Sequence, residues 1–405
     1  MKNSTSIFDS ICTEVKSKLY TINCENINSI DENIKVLFFL TQLMRSEILR
    51  NCELSENEID CLIKKILNNL KEMKKKINPN PISLMNSDLG CLAFCIKEIN
   101  KNTGCFERLL EQLNSELIGQ SLKRIKMFKK GFTKDYYYDC LSGIAGVLSY
   151  FIVTKAEKST LSEMTNYLIS LTDNITISNQ EIIGFYSNGS LIHKKNGYLD
   201  FGMAHGMAGV LMALSKAYAY GLRSERLLNA IQRIIFLIEE YSRRSKGVLQ
   251  FPRRLSYKDY GESVCNNYTV NSGWCYGNLG IVTALVNTMI NIEDYNGYEK
   301  YKKECALILQ QPIENYNLSS PILCHGYGSV ISMQTYLYRK TDDAIFLEGI
   351  VRNLEKEADS YFLEKENNEN FEKDFSLLQG SAGSLLSMVN SMTMDLSYGQ
   401  ILLME

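Results

Sequence analysis

Apolar residues recur at helical spacing along most of this chain. Ile34, Val36, Leu37, Leu40 and Leu43 fall three and four residues apart, which predicts a helix with a buried face. Ser55 followed by Glu58 reads as a capping box and predicts a helix over Ile59–Met73. Lys74, Lys75 and Lys76 suit the negative end of that helix, and Asn78-Pro79-Asn80-Pro81 breaks the pattern.

A second pattern then begins, a glycine-bearing turn followed by an apolar helix. It is degenerate at Asp88-Leu89-Gly90-Cys91 and clear at Ser142-Gly143-Ile144-Ala145-Gly146 and His205-Gly206-Met207-Ala208-Gly209. It returns at Tyr276-Gly277-Asn278-Leu279-Gly280, His325-Gly326-Tyr327-Gly328-Ser329 and Gln379-Gly380-Ser381-Ala382-Gly383. The first glycines stand roughly 50–70 residues apart, room for one returning helix, a loop and one inner helix, which predicts a solenoid or a closed ring of helix pairs. The glycines predict close backbone approach, or positive φ, at each inner-helix start.

Two stretches depart from the helical period. Ile182-Ile183-Gly184-Phe185-Tyr186, a turn at Ser187-Asn188-Gly189 and Ser190-Leu191-Ile192-His193 predict a small hairpin. Lys246 to Val270 reads as irregular, and loops of such length are often functional.

Composition narrows the class. A chain of 405 residues suggests two or three domains on length alone, but repeats can share one core, so residues 1–405 read as a single domain. Apolar content of 45% and charged content of 22% fit an ordinary globular protein. A net charge of −2 argues against nucleic acid as partner. Five prolines leave room for many unbroken helices. There is no apolar signal core over Met1–Tyr20, no run near the roughly 18 apolar residues of a membrane span, and no CxxC pair. These features predict a reducing cytoplasmic compartment. Cys12, Cys24, Cys52, Cys61, Cys91, Cys95, Cys105, Cys265 and Cys305 then read as small buried hydrophobes.

Chemistry-bearing residues gather at the repeat turns. Of three histidines, His205 and His325 stand there, and the only tryptophan, Trp274, adjoins Cys275. Cys275, Cys324 and His325 occupy equivalent positions ahead of inner helices, where residues distant in sequence can converge. Three protein ligands with an open fourth position suit a catalytic zinc. His205 suits proton transfer, with a fourth ligand or a capped core histidine as alternatives. Asp139, ahead of Gly143, reads as a carboxylate that orients a histidine or holds a charged substrate group, and equally as a helix cap. His193, beside Lys194 and Lys195, reads as a solvated loop residue. The basic run from Lys123 to Lys130, continuing to Lys134, reads as a solvated helix face, with binding of an acidic peptide or a membrane surface as the alternative.

Trp274-Cys275-Tyr276-Gly277, Cys324-His325-Gly326, Gly202 to Val210 and Gly380-Ser381-Ala382-Gly383 together resemble the lanthionine synthetase C-like family, and among its members the class I lantibiotic cyclases. The clear motifs cover residues 139–383; residues 1–135 fit by length and helical pattern. The resemblance implies an all-α fold, an α/α toroid of about seven inner and seven outer helices with a small inserted β-containing element. It implies one Zn²⁺ held by Cys275, Cys324 and His325, with His205, Asp139 and Tyr276 in the active site. The implied reaction adds peptide cysteine thiols to dehydroalanine or dehydrobutyrine, closing thioether rings in a dehydrated, leader-bearing precursor. A complex with a dehydratase and an ABC exporter would bring the protein to the inner face of the membrane without a span of its own. Asn271 stands where the family often has arginine; Arg253 and Arg254 are nearby charges. Ser329 replaces a usual glycine. A non-catalytic thiol-binding protein of the same fold is the alternative; a glycosidase or terpenoid cyclase fits less well, because Asp139 is the only evident acid at the turns.

Overall fold

Burial sorts the helices of this protein into two kinds. The computed structural model describes residues 2–24, 27–73, 82–85, 88–129, 133–187 and 197–404. Among the described residues, seven helices are buried over most of their length: Ile30–Leu43, Leu89–Thr103, Ile144–Val153, Met207–Ala219, Asn278–Asn291, Tyr327–Thr341 and Ser381–Thr393. Their alanines, glycines and serines let neighbours approach closely. Helices such as Glu225–Glu240 bury one stripe, here Leu227, Ala230, Ile231, Ile234, Leu237 and Ile238, as an amphipathic outer helix does.

The chain divides into two compact units. The first comprises Met1–Leu117, Leu318–Gly399 and Met404–Glu405. In it the Ile30–Leu43 helix packs on Glu56–Glu72 and Leu89–Thr103, and Tyr327–Thr341 packs on Ser381–Thr393 and Ile350–Asn367. The second comprises Ile118–Asn317 and Gln400–Leu403. Its centre is the Met207–Ala219 helix, flanked by Ile144–Val153 and Asn278–Asn291, with Glu225–Glu240 and Tyr295–Leu309 as returning helices.

Within each unit the repeat turns are stitched backbone to backbone. The Cys140 N–H donates to the Ala204 carbonyl (3.3 Å), and the Ala204 N–H donates to the Cys275 carbonyl (3.2 Å). In the other unit the Cys324 N–H donates to the Leu378 carbonyl (2.9 Å). The glycines serve this approach. None of the repeat glycines has positive φ; among the described residues the positive-φ glycines are Gly104, Gly221, Gly247 and Gly349. A Cβ on Gly209 would instead stand 2.2 Å from the Met203 carbonyl oxygen, and one on Gly202 would stand 2.4 Å from that of Cys275. Where Ser329 replaces the usual glycine, its hydroxyl donates to the Gly326 carbonyl (2.6 Å) and the helix still starts at Tyr327.

Several expectations are met and several corrected. Ser55 caps its helix, accepting from the Glu58 N–H (3.3 Å), so the helix begins at Glu56 rather than Ile59. Lys74 to Lys76 and the Asn78 to Pro81 breaker lie outside the described residues. On the Glu107–Phe128 helix and just past it, Lys123, Lys126 and Lys129 are exposed, as a solvated face requires; Lys130 is outside the described residues. Cys12, Cys52, Cys91, Cys95 and Cys305 are buried, but Cys24, Cys61 and Cys105 are exposed and Cys265 is half-buried. Cys61 lies on the outward face of an amphipathic helix and Cys105 just past a helix end, positions that one-dimensional spacing does not resolve.

A hairpin forms one element earlier than the predicted one. Asn174–Ile177 pairs antiparallel with Gln180–Ile183, and the two-residue turn between them, Ser178-Asn179, has positive φ at both residues (50° and 68°), the geometry that follows strand twist. Ile182 and Ile183 therefore close a hairpin rather than open one. Ser187 bridges to Tyr198, and residues 188–196, including Asn188, Gly189 and His193, are outside the described residues. The stretch read as irregular contains order: Val248–Gln250 pairs with Arg243–Ser245, and Arg254–Ser256 pairs with Tyr198–Asp200 and leads into the Tyr257–Gly261 helix.

Gly209→Ala should lower stability by about 1–3 kcal/mol, because the new methyl meets backbone. Gly119→Ala, in an exposed helix interior with open space around it, should raise stability by up to about 1 kcal/mol. Urea denaturation of the two variants checks the contrast.

Candidate active site

Each predicted site residue stands in the turn ahead of a buried helix. Asp139 precedes Ile144–Val153, His205 precedes Met207–Ala219, Cys275 and Tyr276 precede Asn278–Asn291, and Cys324 and His325 precede Tyr327–Thr341. The exposed N–H groups of a helix start carry partial positive charge, which favours anionic ligands and thiolates there.

Asp139 is fully buried and serves two of the functions weighed for it. Its Oδ1 accepts from the N–H groups of Ser142 (2.7 Å) and Gly143 (2.8 Å), capping the turn, while Oδ2 lies 2.5 Å from His205 Nδ1. Burial raises the Asp139 pKa, and the contacts with His205 and the Ser142 N–H oppose that shift. For His205, burial alone would lower the pKa; hydrogen bonding and charge from Asp139, with Asp200 and Asp135 beyond, outweigh it and raise the net value. Because Nδ1 is held by Asp139, Nε2 is the nitrogen left for proton transfer.

Tyr276 connects His205 to Arg253 and Arg254, the charges noted near Asn271, and to acids and a tyrosine that sequence reading missed. Its ring lies 6.3 Å from the His205 ring, with the Arg253 guanidinium 4.5 Å from its centroid. Burial raises the Tyr276 pKa, so the phenol stays neutral. Asp200, fully buried, is a second acid: it accepts from the Gly202 N–H (2.9 Å) and from Arg254 Nε (3.2 Å), and burial raises its pKa to about 6. The reading of Asp139 as the only evident acid is therefore corrected. The two carboxylates have different hydrogen-bond partners, Asp139 the His205 ring and Asp200 the Arg254 guanidinium. Arg254 stacks on Tyr198 (4.1 Å), whose hydroxyl donates to Asp135 (2.6 Å). The signal that singled out Asp139, a carboxylate just ahead of a repeat turn, applies equally to Asp200. Asn271 folds back on its own turn, accepting from the Gly273 N–H (3.1 Å).

Cys275 stands ahead of a buried helix in the second unit, and Cys324 and His325 stand together ahead of a buried helix in the first. Cys275 is buried, Cys324 half-buried and His325 exposed. Two thiols and an imidazole are a donor set that suits zinc, with a fourth position left open.

Comparisons with known proteins point one way. The family model of the lanthionine synthetase C-like proteins matches residues 54–403. The nisin biosynthesis protein NisC of Lactococcus lactis subsp. lactis is 25% identical over 251 residues, which cover 60% of this chain and 59% of that relative, so the match spans under two thirds of its length. A solved nisin cyclase structure aligns with a TM-score of 0.76 at 20% identity, covering 100% of this chain and 98% of the other. That likeness shows the fold: the expected all-α class, an α/α toroid with small β-containing elements.

With three histidines in the chain, imidazole titration by NMR can isolate His205. Its pKa should lie above the ordinary value of about 6.5, and Asp139→Asn should bring it below, because burial then dominates. Since the folded-state value is raised, the stability His205 contributes is fully present below pH about 6.5 and is lost as pH rises through the folded-state pKa.

Proposed function

The chain belongs to the lanthionine synthetase C-like family, and from that premise we propose that it is a lanthipeptide cyclase, with residues 1–405 acting as one catalytic domain. The substrate in this proposal is a dehydrated precursor peptide carrying its leader. Each turnover adds a cysteine thiol across the double bond of a dehydroalanine or dehydrobutyrine, giving lanthionine or methyllanthionine. The observation that carries the reading is the Asp139–His205 pair, set in the turns that precede buried helices as Cys275, Cys324 and His325 also are.

Cys275, Cys324 and His325 would hold one Zn²⁺. Bound there, the ion would keep an incoming thiol, with a free pKa near 8.5, as its thiolate at neutral pH. The protein's own residues account for the proton. As the C–S bond forms at the β-carbon, the π pair moves onto the α-carbon and the adjoining amide carbonyl, giving an enolate. His205, protonated at Nε2, donates to the α-carbon, and the proton released by the thiol restores it through solvent, so the addition is net-neutral in protons. Asp139 fixes the ring through Nδ1 and stabilises the imidazolium. Tyr276, neutral and beside His205, lines the substrate path. Among the described residues no helix is long and apolar enough to cross a membrane. Cytoplasmic placement and docking to a dehydratase and an exporter at the inner membrane face belong to the same proposal.

The test supplies dehydrated precursor and counts remaining free thiols by alkylation and mass spectrometry, alongside zinc per chain. Cys324→Ala should lose zinc and ring closure together; closure at the wild-type rate with zinc retained would overturn the site assignment. His205→Asn should keep zinc and lose closure by about 10²–10⁴-fold; loss of zinc would make His205 a ligand instead. Thiol binding by the wild type without ring closure would favour the non-catalytic alternative.

A further inference from the structure

Two adjacent arginines leave the same loop and meet opposite fates. Arg254 is neutralised: its Nε donates to the buried carboxylate of Asp200. Arg253 is exposed, and among the described residues no carboxylate lies within ion-pair distance of it. Its guanidinium is nevertheless held in place, 4.5 Å from the centroid of the Tyr276 ring, next in sequence to Cys275. The backbone beneath it is fixed as well, because the Arg253 carbonyl accepts from the Phe201 N–H (3.3 Å), adjoining Gly202. Phe251 and Pro252 on its N-terminal side are buried, and the Thr269 N–H donates to the Phe251 carbonyl (2.8 Å).

A guanidinium stacked on an aromatic face keeps its edge N–H groups for another acceptor. Holding such a cation with no counter-ion among the described residues, on the tyrosine that also neighbours His205, suits a site where negative charge appears only during reaction. Asn271 does not supply that charge: it is neutral, and its side-chain oxygen accepts from its own turn.

We propose that Arg253 is a catalytic residue that receives the enolate oxygen, donating hydrogen bonds to the amide carbonyl of the dehydrated residue as the thiol adds to its β-carbon. The inference rests on the cyclase reading above. In that step the C–S bond forms, the π electrons move onto the carbonyl oxygen facing Arg253, and they return as His205 protonates the α-carbon. Arg253 stays protonated throughout. Donors aimed at a developing oxyanion act on the transition state rather than on the bound substrate, so their removal acts on kcat.

The experiment compares wild type, R253Q, R253K and R243Q with dehydrated precursor, measuring kcat, KM and zinc per chain. R253Q should lower kcat by about 10²–10³-fold with KM changed little and zinc content unchanged. R253K, which keeps the charge but not the fork, should recover part of that loss. Arg243 makes a comparable stack on Tyr268 (3.9 Å) and bonds Gln250, so R243Q should match wild type. An R253Q kcat equal to wild type, a loss confined to KM, or an equal loss in R243Q would overturn the role of Arg253. A wild-type protein that closes no rings would instead sink the cyclase reading, whereas R253Q matching an active wild type sinks the Arg253 assignment alone.

Discussion

The carbonyl of one turn resting against the Cα of another is the contact on which the architecture depends. The Cys275 carbonyl oxygen lies 2.4 Å from where a Cβ on Gly202 would stand, and it accepts the Ala204 N–H. Such contacts tolerate no side chain, and they hold successive turns at the same level. Because each turn opens a buried helix, holding the turns level also aligns the helix starts. A residue placed two positions before the first repeat glycine, as Ala204, Cys275, Cys324 and Leu378 are, then takes part in the stitching and stands at the end of a core helix.

That arrangement sets the electrostatics. Burying a carboxylate is costly unless hydrogen bonds and opposite charge compensate. Asp139 has two backbone N–H groups and His205; Asp200 has one backbone N–H and Arg254. Each carboxylate thereby fixes a cation or a protonatable ring at the turn, and the residual burial penalty appears as a raised pKa in both. Asp139 shows how one residue reconciles two readings, since one oxygen caps the turn while the other holds His205.

The repeat, its glycines and the scarce residues at its turns were legible in the sequence, because close backbone approach demands glycine wherever it occurs and so leaves a periodic mark. Helix caps such as Ser55 were legible for a similar reason, since the donor lies three residues away. The Asn174–Ile183 hairpin was missed because Ser178-Asn179 carries a weaker turn signal than Ser187-Asn188-Gly189. The exposure of Cys24, Cys61 and Cys105 was misread because burial depends on which helix face meets a neighbour.

By itself, the sequence determined the fold class, the inner-helix starts and the residues of candidate chemistry, because those follow from local periodicity and residue type. Only the tertiary structure decided that Asp200 pairs with Arg254, that Arg253 lies over Tyr276 and that Asn271 serves its own turn. The first two pairings join residues 54 and 23 positions apart, and the third depends on the direction a side chain takes from an irregular loop. Neither the partner nor the direction leaves a period in the sequence, and both are fixed only when the loops pack against the repeat turns.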